Sequence, residues 1–375
     1  VSTTTEPAAT SAGGGSSTPS PEGDRTSNSR GPGGNPILRA LSFRNISAIY
    51  IFVVIIIVFG LWTPQTFLTA GVWRSLLDAQ ALTALAALAA LIPLVAGVFN
   101  LAIGAEVGFA GILSAFLLAK VGMPMGLQIP VVLACGAFIG LISGLIITKA
   151  KIDSFIATLG MQSILLAAIA WVSNSQQILN LGPVYRYLAT TQILGITLPV
   201  YILVIVSLIT WYVLEKTPVG RRMYAVGYNP DGARLAGVKI ERLQVGSLMA
   251  GGVIAAIAGV LMTSRINAGD PTVGPSMLLP ALSGVFLGST QFKGGRFNVW
   301  GTIIAVYVLA AGVKGLQLVG TPNWINDLFN GLALLVAVGL SRWERTSKRT
   351  AAIRRATTFG RKAKAELAAK ESAQS

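Results

Sequence analysis

The sequence has no histidine and only one cysteine, Cys135, in 375 residues. The first absence removes imidazole general bases, His-ligated metals and histidine proton relays. The second removes a disulfide framework and Cys-based metal sites, since the lone thiol sits inside an apolar run. No GxxxxGK(S/T) loop occurs to cradle nucleotide phosphates, so the chain offers no evident means of hydrolysing ATP itself. No paired acids fall at matching depth for a proton relay. The expectation is a chain with no catalytic residues, no metal ligands and no cofactor of its own.

Charge is scarce too. Only 11% of residues are charged, against about 25% in soluble chains. What replaces it is apolar: 53% of residues are hydrophobic and the mean hydropathy is +0.67. Between Ile46 and Ser341 most of the chain consists of apolar runs of about 16–24 residues, the length a helix needs to cross a roughly 30 Å hydrocarbon layer. This predicts an all-α polytopic membrane protein with about ten transmembrane helices, at 47–62, 75–98, 103–119, 128–148, 154–173, 198–214, 244–264, 278–290, 298–318 and 326–340.

The formal charge of +15 suits nucleic acid, but it equally marks the cytoplasmic side of a bacterial-type membrane protein, where Lys and Arg collect. Placement separates the two readings. If the chain starts inside, all of the 29 basic residues except Arg74, Lys120, Arg186, Arg265 and Lys314 fall in inside segments. The expectation is an inner-membrane protein with both termini in the cytoplasm and no nucleic-acid partner. Residues 1–45 read as a disordered N-terminal tail, being mostly Ser, Thr, Gly, Pro and Ala without a secretory signal. Residues 46–341 form the transmembrane domain, with a cytoplasmic loop at 215–243. The basic tail, 342–375, reads as a solvated topology anchor or a contact for anionic lipid.

Two spans look broken. One is VAGVFNLAIGAEVGFAG (Val95–Gly111), with Asn100 and Glu106 near membrane depth; the other is LSGVFLGSTQFKGGRFNVWGT (Leu282–Thr302). Irregular backbone at that depth needs protein or a watery cavity around it. Short, Gly-interrupted segments in matching positions of two halves point to inverted repeats, and spans 2–5 and 7–10 run in opposite senses as that requires. Asn100, Gly104, Glu106, Gly288, Gly294 and Gly295 are the candidate pathway and gate residues. Glu106 reads either as a pathway carboxylate or as a side chain reaching water at the cytoplasmic end. Asp78 reads as interfacial, and Lys314 as snorkelling. Gly136, Gly140 and Gly144 make a ridge that lets a neighbouring helix approach closely.

Between spans 6 and 7 lies GYNPDGARLAGV (Gly227–Val238). Asn229 suits an N-cap, Pro230 the first helical position and Asp231 the positive end of the helix dipole. Gly237 suits a left-handed stop. The prediction is a helix of about seven residues presenting the small residues Ala233 and Ala236, with Arg234 and Leu235 beside them. Such a helix fits a groove on another protein better than a lipid surface, where interfacial helices use Trp, Phe or Leu.

Four stretches in order give a resemblance covering roughly 45–340. AGVFNLAIGAEVGFAG resembles a G(I/F)DLSxG segment, with Asn100 for Asp and Ala102 for Ser. KIDSFIATLG carries FIATLG, and TPVGRRMYAVGYNPDGARLAGV follows GRxx(Y/F)AxGxNxxA(A/R)RL(S/A)G. VFLGSTQFKGGRFNVWGT resembles VxLGGTSxxGGxGxxxGT, with Ser289 and Phe297 each standing for Gly. These resemble the permease subunits of bacterial ABC importers of the ribose/xylose/galactose class. The resemblance implies that Asn229–Gly237 is the coupling helix that inserts into a separate ATPase subunit. Gly220, Arg221, Asn229, Asp231, Ala233, Arg234, Leu235, Ala236 and Gly237 are the coupling residues, and ATP and Mg are bound by that partner. It further implies a second permease subunit, identical or not, and an extracytoplasmic binding protein delivering a pentose or hexose to outer loops 174–197 and 266–277. Nucleosides or a furanose signal remain alternative cargoes. An ion-coupled carrier is less supported, and a membrane-embedded enzyme lacks a nucleophile and base.

Overall fold

The computed structural model describes residues 47–291, 295–322, 324–336, 338 and 339. Both predicted tails and Gly294 lie outside the described residues. In chain order the helices are α1 (Ser47–Trp62), α2 (Pro64–Phe67), α3 (Ala70–Val95), α4 (Ile103–Ala119), α5 (Met125–Lys149), α6 (Ser154–Ser173) and α7 (Pro183–Thr190). After the strands β1 (Gln192–Ile193) and β2 (Ile196–Thr197) come α8 (Leu198–Lys216), α9 (Pro218–Tyr228), α10 (Pro230–Leu235), α11 (Ile240–Ile266), α12 (Val273–Ser276), α13 (Leu278–Gln291) and α14 (Val299–Leu318). A further apolar helix, α15, covers Trp324–Val336.

Among the described residues seven helical segments are long and apolar enough to cross a membrane: α3, α5, α6, α8, α11, α14 and the run Val273–Thr290 that holds α12 and most of α13. Shorter apolar helices occupy Phe52–Trp62, Ile103–Ala119 and Trp324–Val336. The chain is therefore an all-α, multi-pass membrane protein with only a two-residue-per-strand hairpin of sheet among the described residues. In that hairpin Leu194 and Gly195 have φ of 53° and 77°, the left-handed pair that a two-residue turn between antiparallel strands demands.

The core is built on two central helices. α3 is buried on all faces from Ala81 to Val95, because its Ala-rich sequence lets neighbours close in on every side. It packs on α13 and α14, whereas α11 packs on α4 and α5, and the two also touch each other. Each of these two helices is thus embedded among helices distant from it in the chain.

Glycine sets the closeness of these contacts. A Cβ on Gly136 would meet the Gly252 carbonyl, and one on Gly144 would lie 2.9 Å from the Val245 Cα. The glycine ridge on α5 is therefore filled by α11, as small-residue packing in lipid requires.

The segment after α11 differs from its expected place as an outer loop. Asn267, at φ 54°, ends the helix in the left-handed conformation. A Cβ on Gly269 would meet Ala115 near one end of α4, yet Gly274 packs on Gly108 and Gly104 near the other. The chain therefore descends along α4 by about 10 Å from the level of Ala115 to that of Gly108, at 1.5 Å per residue. Only its first part stays at the hairpin end, where Ile178 and Gly269 exchange backbone hydrogen bonds and Gln177 donates to Asp270 at 2.6 Å. The physical reason is that Gly104, Gly108 and Gly274 carry no side chain to keep the backbones apart.

The 174–197 segment is likewise not a free loop. Tyr185 of α7 is 1% exposed; its hydroxyl donates to the Val260 carbonyl at 3.1 Å and lies in hydrogen-bond contact with Ser114, which Gln128 also reaches.

Candidate coupling site and cavity

The loop between α8 and α11 is built from its caps. Thr217 accepts from the Gly220 N–H at 3.4 Å and starts α9. Gly220 is buried against the backbone of Leu214, so the α8–α9 corner closes only without a side chain there. Asn229 accepts from the Gly232 N–H at 3.0 Å, capping α10. Gly237 has φ 77°, and the Val238 N–H reaches back to the Ala233 carbonyl at 3.0 Å, a helix stop of the kind glycine favours. The caps fall where the sequence placed them, around a helix of six residues.

One face is corrected. Ala233 is 6% exposed and packs with Val226 and Ile240, so it seats α10 on the protein instead of presenting it. The exposed side carries Asp231, Arg234, Ala236 and Leu235, the last 91% exposed. Val226 of α9 and Ile240 of α11 close over Ala233 from either side of α10, and this packing turns its methyl inward. Arg221 and Asn229 are also exposed.

The inner side of α9 meets both broken segments. Gly227 lies against the Val95 carbonyl, and a Cβ on Gly97 would sit 3.2 Å from the Gly227 Cα. One helical turn away, the Tyr224 hydroxyl donates to the Phe297 carbonyl at 2.7 Å. The Arg296 guanidinium lies 3.7 Å from the Tyr224 ring centroid, a cation–π arrangement, and reaches Glu215 at 3.7 Å. Burial pushes the Tyr224 phenol up to about 12, against the lowering effect of Arg296, so it remains a hydrogen-bond donor at neutral pH.

Between these contacts is a cavity of 580 Å³. Its walls include Val95 and Leu101 from the first break, Tyr224 and Tyr228 from α9, and Leu282 and Phe286 from α13. Phe99 stacks on Phe286 at 6.4 Å between centroids, touches Phe155 at 4.6 Å, and Phe286 meets Phe297 edge-on at 5.9 Å.

Of the candidate pathway residues that are described, none is among those lining this cavity. Asn100 and Glu106 are each 2% exposed. The Asn100 amide donates to Glu106 Oε1 at 3.0 Å, and its Oδ1 accepts from the Ala102 N–H at 3.0 Å. Among the described residues Glu106 Oε2 has no hydrogen-bond partner, and at 2% exposure the carboxylate is buried and not held out at the helix end. Gly104 packs on Gly274 and Pro275, and Gly288 on the backbone of Gly301. Gly295, at φ 87°, returns its N–H to the Ser289 carbonyl at 3.1 Å. Sequence reasoning missed Phe99, Phe286, Tyr224, Arg296 and Glu215. The available signal was a Phe within each broken stretch.

A family described as "Branched-chain amino acid transport system / permease component" matches residues 74–338. Among curated proteins, the ribose import permease protein RbsC of Haemophilus influenzae is 33% identical over 68% of this chain and 80% of its own length. The fructose import permease protein FrcC of Rhizobium meliloti is 28% identical over 79% of this chain and 84% of its own. The autoinducer 2 import system permease protein LsrD of Yersinia enterocolitica is 29% identical over 66% and 77%.

Proposed function

We propose, from the premise that this chain belongs to the family of branched-chain amino acid transport system permease components, that it is the membrane permease subunit of an ABC importer for a monosaccharide. The family description names amino acids, whereas the matched relatives are named for ribose, fructose and autoinducer 2. The sugar reading follows those relatives, which align over 66–79% of the chain. A furanose-like signal is the second reading, favoured by the autoinducer 2 permeases alone.

The observation that carries the mechanism is the capped α10, which holds Leu235 and Arg234 out of the protein on a helix too short to stand by itself. In our reading a separate ATPase, holding ATP and Mg, docks on this knob. Gly220, Arg221, Asn229, Asp231, Ala236 and Gly237 shape or flank it, and Ala233 seats it. Closure of the ATPase pair on ATP then favours one of two permease conformations by its differential binding free energy. An external binding protein delivers cargo at the end formed by 174–197 and 267–272. A second permease subunit, identical or not, completes the pathway within the lipid bilayer. The reciprocal embedding of α3 and α11 supports inverted repeats, and the long and short apolar helices together support about ten spans in the 46–341 domain. Both termini, with tails 1–45 and 342–375, would then be cytoplasmic.

Radiolabelled ribose and fructose uptake by cells expressing the complete system tests this reading. Uptake should survive an uncoupler and stop when ATP is depleted. The reverse pattern would instead indicate an ion-coupled carrier.

A further inference from the structure

We infer that α9 links the ATPase-facing loop to a gate, that the gate is the Phe99–Phe286 contact, and that Tyr224 and Arg296 are its positioning residues. The inference rests on the importer reading above.

Three observations converge. First, α9 touches both broken segments: Gly227 lies on Val95 and Gly97 before Phe99, and Tyr224 holds the Phe297 carbonyl beyond Phe286. An 11-residue helix is stiff over that span, so a displacement of α10 at its end moves both contacts together. Second, the two segments also meet each other, through Phe99 and Phe286, with Phe155 and Phe297 packed outside them. Third, the 580 Å³ cavity there is walled almost wholly by apolar and aromatic side chains. Hydroxyls of a sugar would find few partners in it, and unpaired polar groups are costly to bury. The lining therefore suits closure of the passage by aromatic contact better than retention of a hydroxyl-rich cargo. Arg296, stacked on Tyr224 and reaching Glu215 at the end of α8, ties the second broken segment to α9, whose opposite end is fixed at the α8–α9 corner. With Gly220 tight against Leu214, this corner is the pivot about which α9 turns.

The test uses the complete transporter (permease, ATPase and binding protein) in proteoliposomes, with ribose as the probe. Tyr224→Phe keeps the ring under Arg296 and removes only the hydroxyl bond to Phe297. It should leave the ATPase bound and hydrolysing ATP, while ribose carried per ATP falls about five-fold or more, the lower range of typical coupling between sites. A ratio equal to wild type overturns the link. Independently of assembly, vesicles holding the permease with Phe99→Ala and Phe286→Ala should leak preloaded ribose without ATP, and wild-type vesicles should not. Tight variant vesicles overturn the gate. Wild-type vesicles that show no ATP-driven uptake would count against the importer reading, and the leak assay would still judge the gate separately.

Discussion

Gly140 of α5 lies directly on the backbone of Leu248 in α11: a Cβ there would meet the Leu248 carbonyl carbon at 2.6 Å and the Met249 Cα at 2.8 Å. This contact locks a helix of the first half onto the central helix of the second. Gly140→Leu should therefore lower stability by about 1–3 kcal/mol or more through overpacking. Gly160, in the same class of apolar helix, has nothing among the described residues within 4 Å of its notional Cβ, so Gly160→Ala should be neutral or mildly stabilising. Thermal melts of both variants in one detergent check the difference.

Asn100 is what makes the buried Glu106 tolerable. Asn100→Ala removes the hydrogen bond to Oε1 and leaves a carboxyl group with no partner, at a cost of about 2–3 kcal/mol. A double-mutant cycle with Glu106→Leu should show a coupling above about 0.5 kcal/mol. Additivity would mean that the hydrogen bond seen at 3.0 Å contributes nothing.

Arg265 pairs with Asp78 at 3.1 Å, with side-chain exposures of 28% and 21%, and Thr197 also donates to Asp78. The pair ties the end of α11 to the third turn of α3. Its partial exposure places it between surface and buried ion pairs, so Arg265→Leu should cost about 1–2 kcal/mol. The loss should shrink when Asp78 is also replaced by Leu, read from the same melts.

The carboxyl of Asp270 is held below the ordinary carboxylate range, chiefly by the Thr272 hydroxyl, with the Thr272 N–H and the Gln177 amide adding to it against desolvation. A depressed folded-state value gives stability that is present above the unfolded carboxylate range, about 3.9, and is lost as pH falls through the lower folded value. Hydrogen exchange at the Ile178 and Gly269 amides should accelerate as pH drops through that window, after correction for intrinsic rates. Asp270→Asn should flatten the dependence.

The sequence made the helices legible where apolar runs and caps coincide. The 103–119 and 154–173 runs match α4 and α6, and Asn229 and Gly237 bracket α10 as their chemistry requires. The face of α10 was not legible, because Ala233 is turned inward by Val226 and Ile240, which lie outside the helix itself. Nor was the descent of 273–277 along α4, which depends on three facing glycines far apart in the chain. Arg265 breaks the inside-positive pattern when read alone; its partner Asp78 explains it. Tyr224, Arg296 and Phe286 look ordinary in sequence, since only tertiary contact brings them to one cavity.

The central claim is that a separate ATPase drives this permease through the exposed knob of α10, and Arg234→Asp with Leu235→Asp tests it most directly. Both side chains are exposed, so melting should shift little, in keeping with surface substitutions of about ±0.5 kcal/mol. Co-purification of the ATPase with the double variant should fail, and ATP-driven ribose uptake should be lost while the protein remains folded in the membrane. An ATPase that still co-purifies, with uptake intact, would contradict the account.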